Sequence, residues 1–103
     1  MFQKLKQFKD LRDKAKTLQS ALADVSVSGS GARGRVTFTM DGNQTLTNVT
    51  ISDELLNHGE KSSLESGIKE AFKDALGQLQ KKLMEKMKAG EIEMPGAPGG
   101  ENA

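Results

Sequence analysis

The one spacing in this 103-residue chain suited to cradling a phosphate is Gly29-Ser30-Gly31-Ala32-Arg33-Gly34, a complete GxGxxG that Val36 extends to GxGxxGxV. In a dinucleotide fold a helix opens directly after the glycines, so that its N-terminus meets the pyrophosphate. Here the glycines run into Arg35-Val36-Thr37-Phe38-Thr39-Met40, whose alternation reads as a strand. A kinase needs in addition a catalytic loop, an Asp-Phe-Gly and much more chain, none of which the sequence contains. The motif therefore reads as a flexible connection between strands. His58 is the only histidine and the chain has no cysteine, so neither a metal site nor a Cys–His pair can be assembled around it. It reads as a solvated surface residue. The carboxylates show no pairing in an apolar setting of the kind that separates an acid from a base. The expectation is a protein without catalysis, metal, cofactor or small-molecule substrate.

The remaining chemistry is charge. The net value of +1 conceals a segregation: residues 1–40 carry +5, residues 41–60 carry −4, residues 61–90 carry +3 and residues 91–103 carry −3. Six basic residues, Lys4, Lys6, Lys9, Arg12, Lys14 and Lys16, stand near the start, and four more, Lys81, Lys82, Lys86 and Lys88, stand near the end. Solvation alone accounts for lysines on the outer side of an amphipathic helix as readily as ligand contact does. Two features favour contact: the topology brings the two basic groups together, and the compensating acids sit elsewhere. Apart from Phe2 and Phe8 no aromatic residue is placed to stack on bases, which favours contact with the backbone of double-stranded DNA.

The elements that must position these residues follow from periodicity. Leu5, Phe8, Leu11, Ala15, Leu18, Leu22 and Val25 recur at three and four, predicting a helix over about residues 3–23. A short strand is expected at residues 24–27, then an irregular glycine-rich link over residues 28–34. Asp41-Gly42 predicts a hairpin closed by a two-residue type I′ turn, opposing Met40 to Asn43, Phe38 to Thr45 and Val36 to Thr47. In that register Val36, Phe38, Met40, Val49 and Ile51 share the core face, and Leu46 is the exception on the polar one. Ser52 is expected to cap a single turn stopped by Gly59. Ser62 and Glu65 have capping-box spacing ahead of a long helix in which Leu64, Ile68, Phe72, Ala75, Leu79, Leu83 and Met87 keep helical spacing up to Gly90. Gly67 and Gly77 in that helix predict close approach of another element. Met84 and Met87 fit core or dimer contacts, and residues 91–103 are expected to form a disordered acidic tail after a single domain at residues 1–90.

The result is an α+β chain, α-β-β-β-α, with a small antiparallel sheet and two long helical arms. A helix of about 27 residues is roughly 40 Å long, so it must overhang its sheet. The first helix runs toward the sheet and the second away from it, and antiparallel packing would bring their basic ends together with the acids of residues 41–60 at the sheet end. A hydrophobic content of 35% with four Phe and no Trp or Tyr makes a thin core and a marginal monomer. No apolar run approaches the roughly 18 residues needed to span a bilayer, and the charged start lacks the apolar region of a signal peptide. A cytoplasmic protein is expected.

Together these residues resemble the YbaB/EbfC nucleoid-associated proteins. The likeness runs from the amphipathic first helix through Val27-Ser28-Gly29-Ser30-Gly31, Gly34-Arg35-Val36, Asp41-Gly42 and Val49-Thr50-Ile51 to Leu64-Glu65, Ala71 and Asp74-Ala75, and ends on Gly90 and Met94-Pro95-Gly96. Ser52-Asp53 stands where the family usually has Asp-Pro, and Lys73 where it has Asn. The resemblance implies a tweezer-like homodimer that binds DNA with little sequence preference and helps to organise the bacterial nucleoid. The alternative from another class is a dimeric adaptor whose helical arms grip a protein partner.

Overall fold

The computed structural model describes residues 2–92, with side chains from residue 7 onward. Helix α1 (Phe2–Ala23) leads into strands β1 (Ser26–Gly31), β2 (Val36–Asp41) and β3 (Leu46–Ile51), and α2 (Lys61–Lys88) follows. The strands lie in the order β1-β2-β3 with both pairings antiparallel. This is the α+β arrangement that the periodicities predict.

The first strand departs from expectation. It begins two residues later and continues through the glycine-rich stretch, so only Ala32–Gly34 is a turn, with φ of 52°, 59° and 84° at its successive residues. Gly29 and Gly31 are buried while Ser28 and Ser30 are exposed, which is the period of two of a half-buried strand written in glycine. Their missing side chains make room for α2. A Cβ on Gly29 would meet Ala75 N and lie 2.6 Å from Ala71 O; one on Gly31 would meet Gly67 O and lie 2.9 Å from Ala71 N. The glycine motif thus serves helix-on-strand packing. Gly67 completes the seam, with its own Cβ position 2.7 Å from Ala32 Cβ, as its sequence context predicts. Gly77 does not: among the described residues, its own helical turns aside, nothing lies within 4 Å of its Cβ position.

The hairpin also differs. The Asp41-Gly42 pair opens a wider loop in which the Asp41 carboxylate accepts from Asn43 N at 2.8 Å and Thr45 N at 3.1 Å, and Gln44 takes a φ of 64°. Gly42 N is meanwhile held by Leu22 O at 2.8 Å. These bonds outweigh the two-residue turn and slip the register, so that Val36 opposes Ile51 and Phe38 opposes Val49. The slip is an even number of residues, so the face assignment survives it. A bulge then pairs Met40 with Leu46, which brings Leu46 to the apolar face instead of leaving it an exception.

Val36, Phe38, Met40, Leu55, Ala71, Ala75 and Leu79 form the centre of the core, joined by Leu22 and Val25 at the end of α1. Because α2 seats on β1 and β2, the apolar residues of β3 are left half-open, with Val49 48% exposed. Ser52 caps its turn as expected, its hydroxyl accepting from Glu54 N at 3.4 Å, but the turn ends at Leu55, and Gly59 lies inside a further turn instead of stopping this one. The capping box does not form. A second short turn, His58–Glu60, runs directly into α2, so the helix opens at Lys61 and Ser62 already lies inside its first turn. At the other end Gly90, with φ of 75°, stops the helix as predicted, and Glu91 N bonds Lys86 O at 2.9 Å in a Schellman arrangement. Ile92 is buried against the same cluster. The tail expected over residues 91–103 lies outside the described residues from 93 onward, and its first two residues close this cap.

Candidate nucleic-acid interface

Helix α1 is an arm because little of it is anchored. Leu22 is buried, Leu18 is half-buried and Gln19 O accepts from Asn43 Nδ2 at 3.0 Å, whereas residues 7–17 are exposed on every side. Phe8 is 70% and Leu11 64% exposed, so α1 does not lie along α2 as an antiparallel pair would require. The principal extents are 63 × 30 × 19 Å and the radius of gyration is 18.4 Å. A compact chain of about 100 residues would have a radius near 13 Å. The apolar stripe that periodicity identifies is real, but within one chain only its last turns are covered.

The second arm follows from the seam. Gly67 faces Ala32 and Val36, Ala75 faces Gly29, and Gln78, Lys81 and Lys82 flank Ser26 and Ser28. Helix α2 therefore runs antiparallel to β1 and leaves the sheet at the end where α1 arrives. The helix stays beside β1 from Gly67, at Gly31, to Lys82 and Glu85, at Ser26–Ser28, so only its last turn, with Lys86 and Lys88, passes the end of the sheet. Both arms project from the hairpin end of the sheet. The structure brings the two basic groups to one end of the chain without packing the helices on each other.

On the arms, Lys9, Arg12, Lys14 and Lys16 of α1 and Lys81, Lys82 and Lys88 of α2 are exposed. Lys4 and Lys6 fall within α1 but their side chains lie outside the described residues. Lys86 differs from the rest: it is half-buried and its Nζ sits 3.2 Å from Glu91 Oε2, holding the helix cap. The acids divide less cleanly than their order in the chain implies. Asp53, Glu54 and Glu60 stand at the far end of the sheet, but Asp41 sits at the arm end, its carboxylate occupied by the hairpin loop. Arg35 is at the far end, bonding Ala32 O at 2.9 Å with Nε and lying 3.9 Å from Glu54, an exposed pair of small energetic weight.

Sequence reasoning missed a groove of about 320 Å³ where Lys81, Lys82, Gln78 and Glu85 face the edge of β1 at Ser26, Val27 and Ser28. The signal was the period of two across Val27, Gly29 and Gly31, which places β1 beneath α2. His58 is exposed, and among the described residues no group of three His, Cys, Asp or Glu is placed to hold a metal ion. Nor is any described helix long and apolar enough to cross a membrane.

A small three-stranded sheet carrying two basic helical arms defines a binding module. The chain belongs to the YbaB/EbfC DNA-binding family, whose profile matches residues 1–93, and that family is one of nucleoid-associated DNA-binding proteins, not of enzymes. It is 34% identical over 95 residues to the nucleoid-associated proteins of Brucella ovis and Brucella anthropi, covering 92% of this chain and 89% of theirs. An uncharacterized protein of Helicobacter pylori shares the fold, with a TM-score of 0.58 at 16% identity, over 77% of this chain and 92% of that one.

Proposed function

We propose that the chain acts as a homodimer that binds double-stranded DNA with little sequence preference, mainly through its phosphates, at the nucleoid in the cytoplasm. The observation that carries this reading is the exit of both basic arms from one end of the sheet. Arranged so, lysines and arginines on two helices offer a series of cations to the regular charge of a duplex, and neutralising those phosphates releases condensed counterions. The sequence of the arms carries no base-reading motif, so positioning contacts are expected to dominate. Unrelated duplexes of equal length are expected to bind within about tenfold of one another, or roughly 1.4 kcal/mol, in a fluorescence anisotropy titration. A preference of several hundredfold for one sequence would refute the phosphate reading.

The homodimer rests on apolar surface that one chain leaves open. Ile68 and Phe72 on α2 are 38% and 40% exposed, and Leu46 and Val49 of β3 are 40% and 48% exposed, so a second copy laid over these apolar side chains completes both cores. Phe38, at 5% exposure, belongs to the chain's own core. The two phenylalanines should therefore part company under substitution. Phe38→Glu is expected to unfold the chain, because an unpaired buried charge costs several kcal/mol. Phe72→Glu is expected to halve the mass that light scattering reports at micromolar concentration while retaining helical circular dichroism. A dimeric Phe72→Glu variant would place the interface elsewhere.

A further inference from the structure

The open edge of β1 is the feature the arm lysines alone do not use. Ser30 N donates to Asp74 Oδ2 at 2.9 Å, so its N–H points away from β2 and toward the outer edge. Alternate residues of a strand direct their backbone groups to the same edge. The N–H groups of Ser26 and Ser28 therefore face outward as well, into the groove of about 320 Å³ beneath Lys81 and Lys82. Asp74 blunts the edge at Ser30, but no carboxylate bonds the Ser28 N–H among the described residues. With Gln78 and Glu85 also on its wall, the groove sets Lys81 and Lys82 against Glu85, and Gln78 donates one amide N–H to Asp74 Oδ1 at 3.5 Å and has a second to offer. The larger groove at the far end, about 570 Å³, holds Arg33 and Arg35 against Glu60 and Glu70, and its charges balance.

We propose that the open edge of β1 is a phosphate clamp at the root of the arms, in which the Ser28 N–H and Gln78 act with Lys81 and Lys82 on one phosphate of the bound duplex. The inference rests on the DNA-binding reading above and adds to it a contact that side-chain charge does not provide. Backbone N–H groups fix register on a duplex because they cannot swing as lysines do. The clamp thus sets how deeply the duplex enters between the arms. It also predicts two separable energetic signatures. Losing Lys81 or Lys82 lowers affinity and reduces the salt slope by about 0.9 each, whereas losing a neutral donor lowers affinity and leaves the slope unchanged.

The test uses the full chain and an unrelated 20-base-pair duplex. On the unmodified protein, amide exchange followed by nuclear magnetic resonance should slow at Ser28 at least tenfold on saturation with duplex, while His58 at the far end keeps its rate. Ser28→Pro removes the outward N–H, a change that strand edges accommodate, together with the hydroxyl that lies 3.4 Å from Thr39 Oγ1. Ser28→Ala is therefore the control for the hydroxyl and should bind duplex as the unmodified chain does. Ser28→Pro should weaken duplex binding about tenfold, the scale of one hydrogen bond to a charged group, with melting and salt slope retained. Bound duplex with unaltered Ser28 exchange would overturn the clamp and leave the DNA-binding reading standing. Absence of any duplex binding would remove both. Protection of Ser28 by an extended acidic peptide but not by duplex would overturn the clamp and assign the edge to strand addition.

Discussion

Gly29→Ala is expected to cost the chain its cooperative fold. The added methyl would press on Ala75 N and lie 2.6 Å from Ala71 O, atoms of a helix backbone that cannot rotate away as a side chain would. Accommodation requires α2 to lift from β1, opening the contact between Val36, Phe38, Met40 and the Ala71, Ala75 and Leu79 side of the helix. Overpacking against flexible side chains costs about 1–3 kcal/mol, and a rigid backbone places this site at or above the top of that range. A small chain has only about 5–15 kcal/mol in total, and one with so thin a core stands low within it. Thermal unfolding followed by circular dichroism should show a broad transition or none. Gly77→Ala is expected to have the opposite sign, raising stability by about 1 kcal/mol, because it restores helix propensity at an exposed position with open space around it. A Gly29→Ala protein that melts like the unmodified chain would mean that α2 does not seat on β1.

Reversing the arm charges is expected to have the largest effect on function. Lys9→Glu, Arg12→Glu and Lys82→Glu together remove three cations from two arms and replace them with groups that repel phosphate. Each charge-assisted contact is worth about 1.5–3 kcal/mol, so their combined loss should weaken duplex binding by more than about a thousandfold. All three side chains are exposed, and melting should change little. Lys86 is left out of this variant on purpose, since reversing it would set two carboxylates together at the cap that Glu91 closes. Reversing Arg33 and Arg35 at the far end is the control and should reduce binding far less. Loss of binding in that control with full binding in the arm variant would move the interface to the opposite end of the sheet.

The architecture is legible in the sequence wherever a period is written in side chains. Leu18 and Leu22 at the end of α1, Val36, Phe38 and Met40 on β2 and Leu79 on α2 all occupy the core their spacing assigns them. Strand β1 is read only at its start, Ser26 and Val27: beyond them the period of two is carried by Gly29 and Gly31, which add no hydrophobic side chain to it, and glycine by itself reads as turn. Register is lost to a long-range bond, Gly42 N to Leu22 O, which no local turn rule contains. Its even slip explains how a wrong pairing still yields the right face. The two helices and their directions are legible, but their separation is not, because an apolar stripe does not state whether its partner lies in the same chain. Phe8 and Leu11 show that most of the α1 stripe has none there. Lys86 is likewise indistinguishable from its neighbours until Gly90 folds Glu91 back onto it.

The salt dependence of duplex affinity tests the central claim most directly. With several arm cations engaged on phosphates, the plot of log K against log salt concentration should fall with a slope of about −3 or steeper, at roughly −0.9 per contact, and Lys9→Gln or Arg12→Gln should each flatten it by about that amount. A slope near zero, or one that neither substitution alters, would contradict binding of duplex phosphates by the arms.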